Sequence, residues 1–364
     1  MNYRNLKIKE LPPKGGRFFA GRDSDHVSLY AFYKGSLDLP VNGEDCASHP
    51  VPTGIFNIFL TLLLFLPLLR CSESRAASCC GRNAATPTLI VGDDRAQMNF
   101  TLSGSGFVAN ASSDGVAKFE GGDSKFAYTY RWDGAILLED RLQAGLSFSV
   151  VNQSFNQGSV QETYTGVGDI KLSLGYEVLP LWSYSSWKPQ GFAFAMFNIP
   201  TGRSTLDSET LLATDVIGSG YYSLSTGFLL LKKWKIWDVF LLPEFHYSLP
   251  REVSAGSFNF VQRPGVGGSL GLGVGLSPGG GVFRLGMRLQ QRYDQGILSV
   301  ETSQSTEQSG PSRSSCDFGL DLAYLFQPNA TMMVSYIDQT LIGSAKNAPL
   351  NRTVALNFQY RWPR

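Results

Sequence analysis

Charge and histidine are both scarce in this chain of 364 residues. Charged residues make up 17% of it and the net charge is +1, so no strong field of one sign is present to attract nucleic acid or an acidic partner. Only three histidines occur, and His26 and His49 precede the first predicted strand. Neither a Walker loop nor a G-x-G-x-x-G motif is present. We therefore expect no metal centre, no cofactor and no nucleic-acid partner.

Cysteine is also absent from most of the chain. Cys316 is the one cysteine after position 80, and the other four lie earlier, at Cys46, Cys71, Cys79 and Cys80. A disulfide framework is therefore not expected in the larger part of the protein.

Long hydrophobic runs are nearly absent as well. The one strong run, Ile55–Leu69, is shorter than the roughly 20 residues that a helix needs to span a bilayer. Small residues follow it at Ser74 and Ala76, as at a signal-peptidase site. We interpret 55–77 as a signal peptide, with a short membrane anchor as the alternative. Residues 1–54 are then either a disordered presequence or the result of an incorrectly assigned translation start. Residues 78–97 are then a periplasmic linker.

What the chain does contain, from Met98 onward, is a series of short runs that alternate apolar and polar residues. Alternation of this kind places one row of side chains in lipid and the other in a lumen, and closure of the sheet satisfies the backbone where water is absent. The last run, Arg352–Trp362, is the clearest example. Its apolar row is Val354, Leu356, Phe358, Tyr360 and Trp362, and the intervening row is small or polar.

About twelve such runs are present, joined by connections that are alternately long and short, and the long polar connections include 152–165, 200–213, 250–263 and 295–313. This predicts an all-β fold, a transmembrane antiparallel up-and-down β-barrel over 98–364 in a bacterial outer membrane, with both termini periplasmic. A soluble all-β protein is the alternative. Tryptophan prefers the lipid–water boundary, and we expect six membrane-interface tryptophans at the short-turn ends of the strands: Trp132, Trp182, Trp187, Trp234, Trp237 and Trp362.

Charged residues in the inward row identify the candidate lumen. They are Asp169, Lys171, Glu177, Arg284, Arg288, Arg292, Asp317 and Asp321. The three arginines share one strand, and we expect them to lie near Asp317 and Asp321 of the next strand. A ladder of this kind lines a narrow channel that selects solutes by size and field, or it forms a salt-bridged interior. Twelve strands lie between barrels that fill their interior and barrels that leave a water channel, so both interpretations stay open.

One constellation suggests catalysis. His246 and Ser248, followed by Asn259, resemble the His-x-Ser…Asn arrangement of the outer-membrane phospholipase A family, in which serine is the nucleophile. The asparagine and glycine that follow the serine in that family are replaced here by Leu249 and Pro250. His246 also shares a row with Asp238 and Glu244, which points it inward, whereas the family's residues face lipid. We therefore expect no enzyme.

Two further motifs carry a family resemblance. Thr165–Tyr176 (TGVGDIKLSLGY) and Asn198–Gly202 (NIPTG) resemble the outer-membrane transporter family linked to meta-pathway phenol degradation, and the stretch Gly220–Trp234 fits as well. The resemblance implies uptake of small hydrophobic or aromatic compounds. The expected partners are the lipid bilayer, the outer-membrane assembly machinery through the C-terminal strand, and small-molecule solutes. A non-conducting barrel that acts through its external loops is the alternative, and the oligomeric state stays open.

Overall fold

The computed structural model describes residues 86–118, 124–181, 185–255, 258–278, 281–301 and 307–364. The predictions for the presequence, the signal peptide and the first part of the linker lie outside these residues, as does Trp182. The strands of the described chain are, in order, β1 (Asp94–Ala111), β2 (Ala117–Lys118), β3 (Ser124–Leu137), β4 (Leu142–Gln157), β5 (Val160–Val167), β6 (Ile170–Leu179), β7 (Gln190–Ile199), β8 (Ser223–Lys233), β9 (Trp237–Ser248), β10 (Arg251–Ala255), β11 (Phe258–Arg263), β12 (Gly265–Leu276), β13 (Phe283–Asp294), β14 (Leu298–Glu301), β15 (Glu307–Ser309), β16 (Arg313–Gln327), β17 (Ala330–Asp338) and β18 (Ala348–Pro363).

Twelve antiparallel strands close into a barrel, which confirms the predicted fold class. The wall runs β1, β3, β4, β5 with β6, β7, β8, β9, β12, β13, β16, β17 and β18. β5 and β6 both pair with β4 and act as one wall strand interrupted at Gly168 and Asp169. The seam is long, because β1 and β18 pair from Asp94 with Pro363 to Ala111 with Ala348.

The outward face of the wall is apolar. Leu172, Leu320 and Phe358 project from three separate strands and are 45%, 46% and 40% exposed, so no other part of the described chain covers them. Apolar surface on this scale, encircling a closed sheet, is typical of a barrel whose wall lies in lipid. Neighbouring outward rings also stack, as Trp132 does with Phe148 at 5.1 Å between ring centroids.

The two ends of the barrel differ. Connections at the end called here the turn end are short, at 138–141, 180–189, 234–236, 277–282 and 328–329, and the wall also begins and ends there. The opposite end, called the loop end, carries most of the longer connections, together with the two-residue turn between β4 and β5. Trp187, Trp234, Trp237 and Trp362 lie at the turn end. Trp132 does not, because β3 continues five residues past it to Leu137.

Three stretches expected to be polar loops contain strands instead. The predicted loop 152–165 is a hairpin of β4 and β5 with a two-residue turn, in which Gly158 has a φ of +59°. The predicted loops 250–263 and 295–313 contain β10, β11, β14 and β15, which form a separate four-stranded sheet. Polar composition is therefore misleading at the loop end, because strands that extend beyond the lipid can be polar on both faces.

The connection between β7 and β8 is longer than the sequence predicts. A strand was expected from 214, but β8 begins at Ser223. Residues 200–222, called here the mouth loop, contain one 3₁₀ turn at Thr205–Asp207.

No helix of the described residues is long and apolar enough to cross a bilayer. At the other boundary, β1 begins at Asp94, so the last four residues assigned to the linker belong to the barrel.

Candidate functional site

Three inward arginines on β13 form ion pairs at three levels of the lumen. Arg284 contacts Asp238 twice, with Nε 2.8 Å from Oδ2 and Nη2 2.6 Å from Oδ1. Arg292 Nη2 lies 3.0 Å from an Asp317 oxygen, and Arg288 Nη1 lies 3.5 Å from Asp321 Oδ1.

The sequence placed all three arginines near the acids of β16, and the structure differs for one of them. Arg284 reaches across β12 to Asp238 on β9, whereas Arg288 and Arg292 do contact β16. Asp238 is only 2% exposed. These three ion pairs form what is called here the ion-paired wall.

The inward glycines of β12 make that long reach possible. A side chain at Gly275 would collide with both Arg284 and Asp238, so glycine leaves the space in which this pair meets. Gly273 similarly accommodates the ring of Phe240, and Gly267 the imidazole of His246. The space beside these glycines is therefore filled by bulky side chains from the two neighbouring strands, β9 and β13.

A second group of charges lies across the lumen on β3 and β6. Arg131 Nε is 3.1 Å from Asp133 Oδ2, and Lys171 interacts electrostatically with both of these residues and with Arg292. A cavity of about 110 Å³ lies beside them and is lined in part by Thr86, Thr88, Arg131, Lys171 and Met196. Charges from both sides of the barrel thus meet near the middle of the lumen.

The two remaining predicted lumenal acids have other roles. Asp169 lies at the interruption between β5 and β6, where it accepts hydrogen bonds from Asn198 Nδ2 (3.1 Å), Gly202 N (3.1 Å) and Ser219 N (2.8 Å). It therefore fastens the mouth loop to the wall. Glu177 lies toward the turn end and accepts a 2.7 Å hydrogen bond from Gln190.

The mouth loop folds over the inner face at the loop end. Gln153 on β4 donates a 3.1 Å hydrogen bond to the carbonyl of Val216. Between the loop and the inner face lies a cavity of about 370 Å³, lined by Ser105, Lys125, Gln153, Thr205, Val216 and Asn351 among others. The loop end is therefore a vestibule with a folded roof.

A buried carboxylate organises this roof. Asp215 is fully buried and accepts hydrogen bonds from Arg203 Nη1 (2.9 Å), Ser208 Oγ (2.5 Å), Glu209 N (2.8 Å) and Thr210 Oγ1 (2.8 Å). Burial by itself would raise the pKa of Asp215, but these donors outweigh it and hold that pKa well below its ordinary value. The loop therefore has a negatively charged centre with satisfied hydrogen bonds.

Two further contacts hold the roof to the strands. Glu162 on β5 accepts hydrogen bonds from Leu211 N at 3.1 Å and Leu212 N at 2.9 Å. Asp207 forms an ion pair with Arg251 on β10, at 2.7 and 3.0 Å. Hydrogen bonding to Arg251, and then to Ser204, lowers the pKa of Asp207.

One part of the inner face is apolar. Seven inward side chains on three adjacent strands, all 8% exposed or less, form what is called here the apolar patch: Phe192, Phe194 and Met196 on β7, Leu229 and Leu231 on β8, and Phe240 and Leu242 on β9. The sequence contains a signal for it, because Gly191–Phe197 (GFAFAMF) is apolar in both rows. That signal was missed, as were the charges Arg131 and Asp133, whereas Asp238 was placed in the inward row but not among the candidate lumenal charges.

The chain just before the barrel covers this patch. Leu89 packs against it and Val91 lies at its margin, while Ile90 is only 2% exposed. Residues 86–91, called here the inner segment, therefore lie inside the barrel.

The residues of the proposed phospholipase constellation are not brought together. Both ring nitrogens of His246 contact carboxylates, Nδ1 with Glu244 at 3.2 Å and Nε2 with Asp294 at 2.9 Å. Ser248 ends β9, whereas Asn259 pairs with Ser254 in the separate sheet. Asn259 therefore belongs to a different sheet from His246, whose two ring nitrogens are engaged by carboxylates.

Comparison with solved structures supports the barrel fold. The COG4313 outer membrane channel from Pseudomonas putida F1 matches with a TM-score of 0.57 and 12% identity, over 75% of this chain and 97% of that one. A TodX monoaromatic hydrocarbon channel mutant (0.41, 10% identity, 75% and 91% covered) and the NanC porin (0.41, 9%, 72% and 98%) match less well. No protein-family model and no curated protein matches the sequence. The similarity to the COG4313 channel shows the fold, and the other two similarities are too weak to support a conclusion.

Proposed function

We propose that the protein is a bacterial outer-membrane barrel that admits small hydrophobic or aromatic solutes passively through its lumen. The observation that carries this proposal is the apolar patch, because seven apolar side chains beneath the inner segment make one part of a charged lumen chemically suited to such solutes. The cavity of about 110 Å³ borders the patch at Met196, and the cavity of about 370 Å³ lies at the loop end, beneath the mouth loop. The structurally similar outer membrane channel supports the same class of function.

A non-conducting barrel is the second candidate. The ion-paired wall favours it, because side chains that bind each other across the lumen brace the wall without any solute. In that case, the external strands and the mouth loop would carry the function.

Conductance of the full-length protein in planar lipid bilayers separates the two candidates. A channel gives discrete current steps, and we expect Arg288→Ala to change their size because Arg288 lies in the lumen. Arg313→Ala is the matched control, since Arg313 is exposed at the loop end, and it should leave the steps nearly unchanged. A folded barrel that gives no steps supports the second candidate. Liposome swelling with solutes of graded size and polarity then defines the solutes that pass.

We also propose that both termini face the periplasm and that the last strand directs assembly. β18 pairs with β1 on one side and β17 on the other, so its loss would leave two edges unpaired in lipid. Removal of Tyr360–Arg364 should abolish insertion, measured as loss of heat-modifiable migration on gels. Removal of Arg364 alone is the control and should have little effect. Normal migration of the longer truncation would contradict this role.

The placement of His246 supports a protein without phospholipase activity. We expect no hydrolysis of phospholipid vesicles by the purified barrel. Hydrolysis that Ser248→Ala abolishes would overturn this.

A further inference from the structure

The inner segment lies between two unlike surfaces of the lumen. On one side, the side chain of Gln143 binds the backbone of Ile90 twice: Oε1 accepts from the amide N–H at 2.7 Å, and Nε2 donates to the carbonyl at 2.9 Å. On the other side, Leu89 packs against the apolar patch. Leu89 also fills the space that a side chain at Gly175 would need. The segment is therefore held at one residue by hydrogen bonds and at the next by apolar contact.

The inner segment contributes few side chains to this contact compared with the patch beneath it. Residues 86–93 precede β1 and take no part in the strand pairing of the described chain. Two apolar side chains, Leu89 and Val91, face a patch built from three phenylalanines, three leucines and a methionine. The mouth loop, in contrast, is fastened by Asp169, Glu162 and the Asp207–Arg251 ion pair. The inner segment therefore has fewer hydrogen bonds to the barrel than the mouth loop has.

The chemistry of the patch selects against charge. None of its seven side chains is charged. The nearest arginine across Gly273 is Arg288, which faces Asp321, and Arg284 is bound to Asp238. An ionised solute would lose its hydration here, and the nearest arginines, whose charge Asp321 and Asp238 already neutralise, would compensate it poorly. An uncharged aromatic solute would lose little and could pack on the rings of Phe192, Phe194 and Phe240.

We propose that the apolar patch is a binding site for small uncharged aromatic solutes, and that the inner segment is a tethered competitor that such a solute displaces. This rests on the proposed uptake function and names the solute class and the place where it binds. Binding to the patch requires Leu89 and Val91 to leave it, and their departure strains the hydrogen bonds between Ile90 and Gln143. Solute binding should therefore reduce the protection of the Ile90 amide from hydrogen exchange.

Amide hydrogen exchange measures this opposition in the unaltered protein. Full-length protein in lipid nanodiscs is exposed to deuterium with naphthalene, with 2-naphthoate, or without solute. We expect naphthalene to accelerate exchange of the peptide that contains Ile90 about tenfold, since exchange reports local opening, and 2-naphthoate to have no effect. Unchanged or slower exchange with naphthalene would overturn the proposal, as would equal acceleration by 2-naphthoate.

Two adjacent residues of β8 give matched variants. Leu229 points into the patch, and Phe228 points outward and is 54% exposed. Leu229→Ser should remove the response to naphthalene, whereas Phe228→Ser should retain it. A response lost equally in both variants would place naphthalene in the lipid and contradict the site.

The tether can be weakened independently of the patch. In Leu89→Ser the competitor is poorer, so half-maximal acceleration should require roughly tenfold less naphthalene. Unchanged concentration dependence in a folded variant would show that the segment does not compete.

Conductance recorded on the same preparation keeps this proposal separate from the proposed function. Current steps without any naphthalene effect would reject the tethered competitor and leave the channel standing. Naphthalene-dependent exchange in a barrel that gives no steps would keep the binding site and reject the passive channel.

Discussion

The ion-paired wall and the apolar patch occupy the same lumen and are stabilised in opposite ways. On the ion-paired wall, each arginine has a specific carboxylate, and Asp238 and Arg284 meet across an intervening strand. On the apolar patch, contacts are made among many side chains, and no single pair is required. The two surfaces share Gly273, because both Phe240 and Arg288 lie opposite it on neighbouring strands.

This difference indicates which surface can change. A buried ion pair that loses one member leaves a charge without compensation, so the ion-paired wall has one favourable arrangement. An apolar surface accepts another apolar group of similar size at small cost. The fixed part of the lumen is therefore the charged one, and the adaptable part is the patch beneath the inner segment.

Breaking the Arg284–Asp238 pair should have the largest effect on stability. Arg284→Met leaves the Asp238 carboxylate buried without its ion partner, which should lower the free energy of unfolding by about 3–5 kcal/mol. The double variant Arg284→Met with Asp238→Leu should recover most of the loss. Urea unfolding of the barrel in lipid vesicles measures both. Equal losses in the single and double variants would show that the pair behaves like ordinary packing.

In the apolar patch, a second substitution should add to the loss of stability instead of restoring it. Leu231→Ala leaves a cavity and should lower the free energy of unfolding by about 2–3 kcal/mol. Adding Leu242→Ala should increase the loss, because no buried charge is relieved. Leu224→Ala is the control, since Leu224 is outward and 56% exposed, and its loss should be smaller. Recovery in the double variant would remove the distinction between the two surfaces.

The sequence predicted rows of side chains better than it predicted contacts. The alternation of β18 and the inward position of Arg288, Asp317 and Asp321 follow from a period of two, which the pleat enforces locally. The pairing of Arg284 with Asp238 does not follow, because it depends on the absence of a side chain at Gly275. Which glycine lets a long side chain cross a strand is a property of the assembled sheet.

The inner segment was beyond sequence reasoning for a related reason. Leu89 contacts β7 to β9, and Ile90 binds Gln143, 53 positions away. No periodicity in Thr86–Val91 distinguishes a segment inside a barrel from one outside it. The apolar patch was more accessible, because a strand with apolar residues in both rows already indicates that its inner face is not a simple polar lining.

Detaching the inner segment should have a smaller effect on stability, and that effect should be confined to the segment. Gln143→Leu removes two buried hydrogen bonds to Ile90, worth together about 1–2 kcal/mol. Exchange of the Ile90 amide should accelerate roughly tenfold while the urea midpoint changes little. Gln97→Leu, at another inward buried glutamine, is the control and should leave the Ile90 amide protected. A fall in the urea midpoint matching the exchange effect would show that the segment is part of the global structure.

The smallest effect is expected from a change of pH, on the opening of the mouth loop. Arg251 lowers the pKa of Asp207, so this ion pair stabilises the loop above the ordinary aspartate pKa of about 3.9 and the contribution is lost as pH falls through the lowered value. Since the pair is partly exposed, its loss should change loop opening less than about fivefold. Pepsin cleavage beside the exposed Leu211 should be slower in wild type than in Asp207→Asn at pH 4.5, and the two rates should converge near pH 2. Asp215, whose pKa is held down by four hydrogen-bond donors that outweigh its burial, should keep the loop partly folded even there. A constant ratio of the two rates over this range would show that the Asp207–Arg251 pair does not fasten the loop.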